Sequence, residues 1–290
     1  MTAIAPALFI LIWSTGFIAA KAIVPVADPD LFLLVRFALA GVLFLVIALA
    51  ARAPWPSKRE IPRHLVAGML LQGGYLGGTY WAVGEGLAPG VMALFGALQP
   101  LLTALLAIVV LREIPTLRTW IGLVLGVTGV ALVLVPGFET TGPGALSPGV
   151  VTIAILAVLS LTVGTVLQKT SIAAADIRAS SVLQNLGAAV MVAVLVWVRG
   201  ETRWIPGATL WVTLAWAALV LSGLGTLLLV WMIRRGRAAN VASLLLLAPP
   251  LAAAESYFLF DDRLTVLQLA GFAIGLVGVF LCNPAQQSRN

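Results

Sequence analysis

The sequence predicts an all-α membrane protein of ten transmembrane helices built from two inverted five-helix repeats. Three observations predict it: an apolar composition, ten hydrophobic segments of spanning length, and an internal duplication with an odd number of helices per copy. Of the 290 residues, 61% are hydrophobic and 10% charged. The mean hydropathy of +1.09 lies outside the range of soluble domains of this length. A hydrocarbon core of about 30 Å needs about 20 apolar residues per helix, which divides the chain into ten segments.

The first span, Ile4 to Ala22, has no basic residues ahead of it and is too long for a signal-peptide core. Trp13, Ser14 and Thr15 lie at its middle and Lys21 near its end. The second, Leu31 to Ala51, carries Arg36. The third, Leu65 to Leu87, sets Gly73, Gly74, Gly77 and Gly78 among Gln72, Tyr75, Thr79, Tyr80 and Trp81. Glycines four residues apart let helices approach closely; here they also leave room for a ligand and for bending. The fourth, Val91 to Leu111, breaks its own apolar run with Gln99 and Pro100. The fifth, Leu117 to Val135, the sixth, Val150 to Gln168, the seventh, Ile177 to Val198, and the eighth, Leu210 to Ile233, complete the middle of the chain. The ninth, Val241 to Phe260, holds Pro249, Pro250 and Glu255, and the tenth runs from Val266 to Cys282.

The duplication appears at an offset of 149, which carries Ala93 onto Ala242, Pro100 onto Pro249 and Thr116 onto Thr265. It also carries Gly122, Gly126 and Gly129 onto Gly271, Gly275 and Gly278, with Glu113 and Asp262 aligned. An offset of 148 carries Gly16 onto Gly164 and Lys21 onto Lys169. The expected repeats are residues 1–138 and 147–284. Five helices per copy is odd, so the second copy enters the membrane from the opposite side. Inverted repeats are a frequent construction of secondary transporters, with the substrate near the midplane; a channel can be built the same way.

The net charge of +6 reads as a topology signal rather than a nucleic-acid surface. With the N-terminus inside, the cytoplasmic loops collect twelve of the 17 basic residues, which places both termini in the cytoplasm of a bacterial-type inner membrane. No Gly-Lys-Ser/Thr phosphate loop occurs, so no ATPase is expected in the chain and no ATPase subunit is implied. One His and one Cys build no usual metal or haem site, and no cofactor is expected. The "DPD" of Asp28 to Asp30 is too isolated an acid pair to argue for a membrane transferase, and no enzyme is expected.

The candidate substrate-binding residues are Trp13, Ser14, Gln72, Tyr75, Thr79, Tyr80, Trp81 and Gln99, polar or amphipathic groups at depth. Ionisable residues within spans are costly and point to function, which selects Glu255 for a proton or a substrate amine. Lys21 and Arg36 either hold a carboxylate or snorkel to water, and Glu255 has Arg263 as an alternative partner. Gly77, Gly78, Pro100, Pro249 and Pro250 are candidate hinges, because a proline lacks an amide hydrogen and crowds a carbonyl one turn earlier; the alternative for each is an ordinary packed kink. Glu113 and Asp262 mark short loops, and Thr116 and Thr265 cap the helices after them.

The stretches "LIWSTGFIAAKAIV", "LLVRFALAG", "LQPLLTALLAIVVLREIPTLRTWIGLVLGVTGVAL" and "LAPPLAAAESYFLFDDRLTVLQLAGFAIGLVGVFL" resemble the drug/metabolite transporter superfamily, of the kind with two EamA-type five-helix domains. The resemblance covers nearly the whole chain. Within that family the chain is similar to YddG-type exporters of amino acids. The resemblance implies export of a small molecule through a central cavity by alternating access, driven by the substrate gradient or by protons. Asp262 stands where the family usually has Glu, and Gln184 where inversion would repeat Arg36, which leaves a symmetric role for those positions unsupported. The expected activity is export of small amphipathic metabolites, amino acids including aromatic ones; a passive channel and an exporter of drugs or quaternary cations remain the alternatives.

Overall fold

A computed structural model describes residues 4–111, 116–139, 146–172, 174–226, 228, 232 and 245–282. The described residues are almost entirely helical. Helix α1 spans Ile4–Ala22, α2 Pro29–Ala50, α3 Ile61–Gly68, α4 Tyr75–Gly84, α5 Pro89–Ala97, α6 Gln99–Leu111 and α7 Leu117–Glu139. Helix α8 spans Pro148–Ser171, α9 Ile177–Arg199, α10 Ala208–Ala215, α11 Ala248–Phe260 and α12 Val266–Cys282. Six stretches, within α1, α2, α7, α8, α9 and the segment Ala208–Gly225, are long and apolar enough to cross a bilayer. The cytoplasmic arginines expected at 234, 235 and 237, with Arg112, Glu113 and Arg289, lie outside the described residues, as do the end of the eighth span and the start of the ninth.

The surface identifies the solvent. Val42, Val46 and Leu49 of α2, Val124 and Val127 of α7, and Val190, Val194 and Val198 of α9 all face outward. Exposed apolar surface on this scale aggregates in water and is stable in lipid. The polar residues of α9 turn the other way: Ser180, Ser181 and Asn185 are buried.

Local chemistry sets the helix ends. Ser147 accepts from the Val150 amide and Asp176 from the Arg178 amide, each capping a helix start. Thr265 and Gln268 cap α12 reciprocally, the hydroxyl accepting from the Gln268 amide at 3.2 Å and the Thr265 amide donating to Oε1 at 2.9 Å. Thr116 accepts from the Thr119 amide at 3.2 Å at the start of α7. Gly200, at φ +65°, terminates α9 in the left-handed conformation that costs glycine least.

Two details depart from plain α-helix. The third span begins at Ile61 and contains a π-helical turn, Met69–Gly74, and a longer π segment, Trp216–Gly225, follows α10. The offset of 149 carries the first onto 218–223, inside the second. The fourth span is broken at Leu98.

Helices α7 and α12 pack against each other along much of their length. A Cβ on Gly129 would strike the backbone of Gly275, and one on Gly278 the backbone of Gly126. As residue numbers rise along one helix they fall along the other, so the two are antiparallel. The repeat offset exchanges these two contacts.

Candidate functional site

Helix α1 lies at the centre of the polar contacts, packed against α4, α5, α11 and the second π segment. Ser14, fully buried, donates to Glu255 Oε1 at 2.6 Å, while Glu255 Oε2 is buried with no hydrogen-bond partner. Two turns further along α1, Lys21 forms an ion pair with Asp262, which lies just past the end of α11 and also accepts from Ser256. The two links share one sequence separation, so α1 and α11 run parallel and are joined by two polar rungs. Lys21 also lies 5.2 Å from the centre of the Phe260 ring. Arg263 bonds Asp261 at 3.0 Å; the partner of Glu255 is therefore Ser14, which a span-by-span reading of charges could not find.

Arg36 is 6% exposed, and its guanidinium donates to Tyr80 Oη at 3.1 Å and to Ser222 Oγ at 3.3 Å. Among the described residues it has no carboxylate partner. It meets neither Lys21 nor water as a snorkelling side chain would, because Tyr80, stacked on Phe32 at 6.0 Å, holds it within the bundle. Ser222 belongs to the second π segment and donates in turn to the Ala217 carbonyl at 3.0 Å. Ser222 has no charge or bulk to mark it in an apolar run.

The remaining candidates scatter around α1 and α4. Trp13 packs on Phe9 at 5.4 Å and against Met232. Thr15 accepts from Trp216 Nε1 at 2.9 Å. Gln72 lies in the first π turn, half-buried. Tyr75 is buried, with its hydroxyl over Gly96, where any side chain would collide. Thr79 is buried with an unpartnered hydroxyl. Trp81 is stacked with the Arg199 guanidinium, 5.4 Å from the ring centre. Gln99 donates to Thr165 Oγ1 of α8 at 2.8 Å.

Each candidate hinge sits at a close approach or a helix start. A Cβ on Gly77 would meet Asp30 Oδ1 at 3.3 Å, and one on Gly78 would meet Ala157 at 2.7 Å. Pro100 follows Gln99 in the first turn of α6, and Pro249 and Pro250 stand in the first turn of α11, where the missing amide leaves no bond unmade.

At the end of the bundle away from the 51–60 loop, the turn between α1 and α2 is tied to the segment after α9. The Asp28 amide donates to the Arg203 carbonyl at 3.0 Å and the Ile205 amide to the Val26 carbonyl at 2.8 Å. Asp28 pairs with Arg203 at 3.2 Å, and the fully buried Asp30 pairs with Arg199 at 2.6 Å.

These observations define a multi-pass membrane protein with unpaired charge inside its helical bundle. Residues 2–135 and 148–283 each match the EamA-like transporter family. The chain belongs to that family and so to the drug/metabolite transporter superfamily, and it is a transporter by class. It is 28% identical to the uncharacterized transporter sll0355 of Synechocystis sp., over 100% of this chain and 91% of that protein. It is 25% identical to the uncharacterized transporter YvbV of Bacillus subtilis, over 99% and 93%. A solved crystal structure shares the fold at a TM-score of 0.64 and 19% identity, covering 99% of this chain and 98% of its own.

Proposed function

We propose that the protein exports small amphipathic metabolites, amino acids including aromatic ones foremost, as YddG-type exporters do, by alternating access between two inverted five-helix repeats. The observation that carries this reading is the pair of unmatched charges. Among the described residues, Arg36 of the first repeat meets only neutral partners, and Glu255 of the second meets only Ser14. A buried charge without a counter-charge is expensive, and a zwitterion bringing a carboxylate to one and an ammonium to the other offsets both costs. Trp13, Tyr75 and Tyr80 supply the aromatic walls of the binding region, with Gln72, Thr79 and Gln99 as polar contacts, while Trp81 stands nearer the end of the bundle with Arg199.

Inversion is supported by the antiparallel crossing of α7 and α12, whose two glycine contacts exchange under the repeat. A two-fold axis in the membrane plane does this; an axis along the membrane normal would make the two helices parallel. Ten spans in repeats at 1–138 and 147–284, an inner-membrane location and cytoplasmic termini complete the reading, with Gly77, Gly78, Pro100, Pro249 and Pro250 as hinges. Glu255, a carboxylate without a cation, favours the second reading, export of organic cations.

One experiment separates these from a channel. In liposomes sorted by protease access to a C-terminal tag, uptake of labelled phenylalanine should saturate and be accelerated by unlabelled phenylalanine on the far side. Linear flux without exchange indicates a channel, and acceleration only by quaternary cations selects the second reading.

A further inference from the structure

A cleft of about 480 Å³ opens at the end of the bundle formed by the α1–α2 turn, the end of α4 and the segment after α9. That volume is within the usual range for small-molecule sites. Trp81 forms an aromatic wall, and Asp28, Glu85, Arg199, Glu201 and Arg203 supply the charge. Both arginines are already matched, Arg203 by Asp28 at 3.2 Å and Arg199 by the buried Asp30 at 2.6 Å. With Asp30, four carboxylates stand against these two guanidiniums. Glu201 accepts from the Leu31 amide at 2.8 Å and shares the Arg199 charge with Asp30. Glu85 is exposed at the end of α4 and makes no ion pair among the described residues. Burial pushes the Glu201 carboxyl above its ordinary value, opposed by the hydrogen bond from the Leu31 amide and by the Arg199 charge.

We infer that this cleft is a second binding site, distinct from the Arg36 and Glu255 region, for the ammonium group of a small amine-bearing solute. The excess of carboxylate over guanidinium attracts the ammonium, and Trp81, with Arg199 on one face of its ring, lines the cleft beside it for an apolar or aromatic remainder. A solute with a carboxylate alone meets net negative charge and is rejected. Under the transport reading the cleft lies on the outer face, where it serves as a release subsite; its affinity for amines stands independently of that reading.

Calorimetric titration of the purified full-length protein with phenethylamine, phenylalanine and 3-phenylpropionate tests the inference. Phenethylamine and phenylalanine should bind, and 3-phenylpropionate should not. Exposed ion pairs are modest, so Glu85→Gln should weaken phenethylamine about three-fold and the Glu85→Gln/Glu201→Gln double variant about ten-fold. Glu85 is exposed, so its single variant is not confounded by folding. Trp81→Phe should weaken phenethylamine more than it weakens a plain alkylamine. Absence of amine binding overturns the inference, and so does binding that Glu85→Gln and the double variant leave unchanged. Binding as described, together with linear flux in the liposome assay, upholds the cleft and overturns the carrier reading instead.

Discussion

Glu255 is the residue whose surroundings most constrain its role. One oxygen is held by Ser14 and the other is bare, and a carboxylate buried in that condition is stabilised by a cation or proton brought to it. Glu255→Gln keeps the shape and the Ser14 contact while removing the charge. We expect phenylalanine counterflow to fall at least about ten-fold, since a lost charge-assisted contact inside a bundle is worth more than about 1.4 kcal/mol; unchanged initial rates would exclude Glu255 from substrate or proton handling. At this scale the sequence was readable where a residue was chemically conspicuous. Arg36 and Glu255 stand out because ionisable groups are rare in apolar spans. Ser222, Thr165 and Ser256, which complete the polar contacts of Arg36, Gln99 and Asp262, do not, because a small hydroxyl residue in such a span differs little from alanine.

At the scale of the elements, the paired glycines of α7 and α12 act as a joint that allows no side chain on either surface. A Cβ on Gly129 meets backbone, which cannot swing aside as a side chain can. Gly129→Ala should therefore cost about 1–3 kcal/mol through overpacking, while Gly16→Ala inside α1, whose Cβ would meet only Leu221 at 3.9 Å, should not destabilise. Thermal unfolding in detergent, followed for both variants, checks this; equal melting temperatures would mean that α7 and α12 part easily. The glycine spacing made this joint visible beforehand, because its period survives in an apolar run. The π turns at Met69–Gly74 and Trp216–Gly225 were not visible, whereas the break at Leu98 stands beside Gln99 and Pro100, the pair that interrupts the span in the sequence. Where nearly every residue is apolar, no polar face marks the helical phase, and a shift of one residue leaves the pattern unchanged. The span ends suffered similarly: the third begins at Ile61, in the charged loop, because a helix continues past the edge of its hydrophobic run.

For the molecule as a whole, α3 packs closely on α9 at one end, where a Cβ on Gly187 would strike Leu65, while the ion pairs between the repeats lie, among the described residues, at the other. At the end carrying Lys21, the repeats are fastened together: two rungs join α1 to α11, a Cβ on Gly90 of α5 would strike Ala253 of α11, and the 26–28 turn pairs with 203–205. Past the break at Leu98, α6 packs on α8, to which Gln99 is bonded. A carrier working by alternating access must undo the fastened end once per cycle, and the Lys21–Asp262 rung is one of three ion pairs, with Asp28–Arg203 and Asp30–Arg199, that hold it. If it is a gate, its sign should not matter but its complementarity should. Lys21→Asp and Asp262→Lys, each placing like charges together, should slow phenylalanine counterflow at least about ten-fold, whereas the Lys21→Asp/Asp262→Lys double variant should return to within about three-fold of the parent, the coupling expected when two residues act on each other. Singles without effect, or a double no better than the worse single, would leave the rung a fixed brace and move the gate to the α5–α11 contact, where the close approach at Gly90 is the remaining barrier.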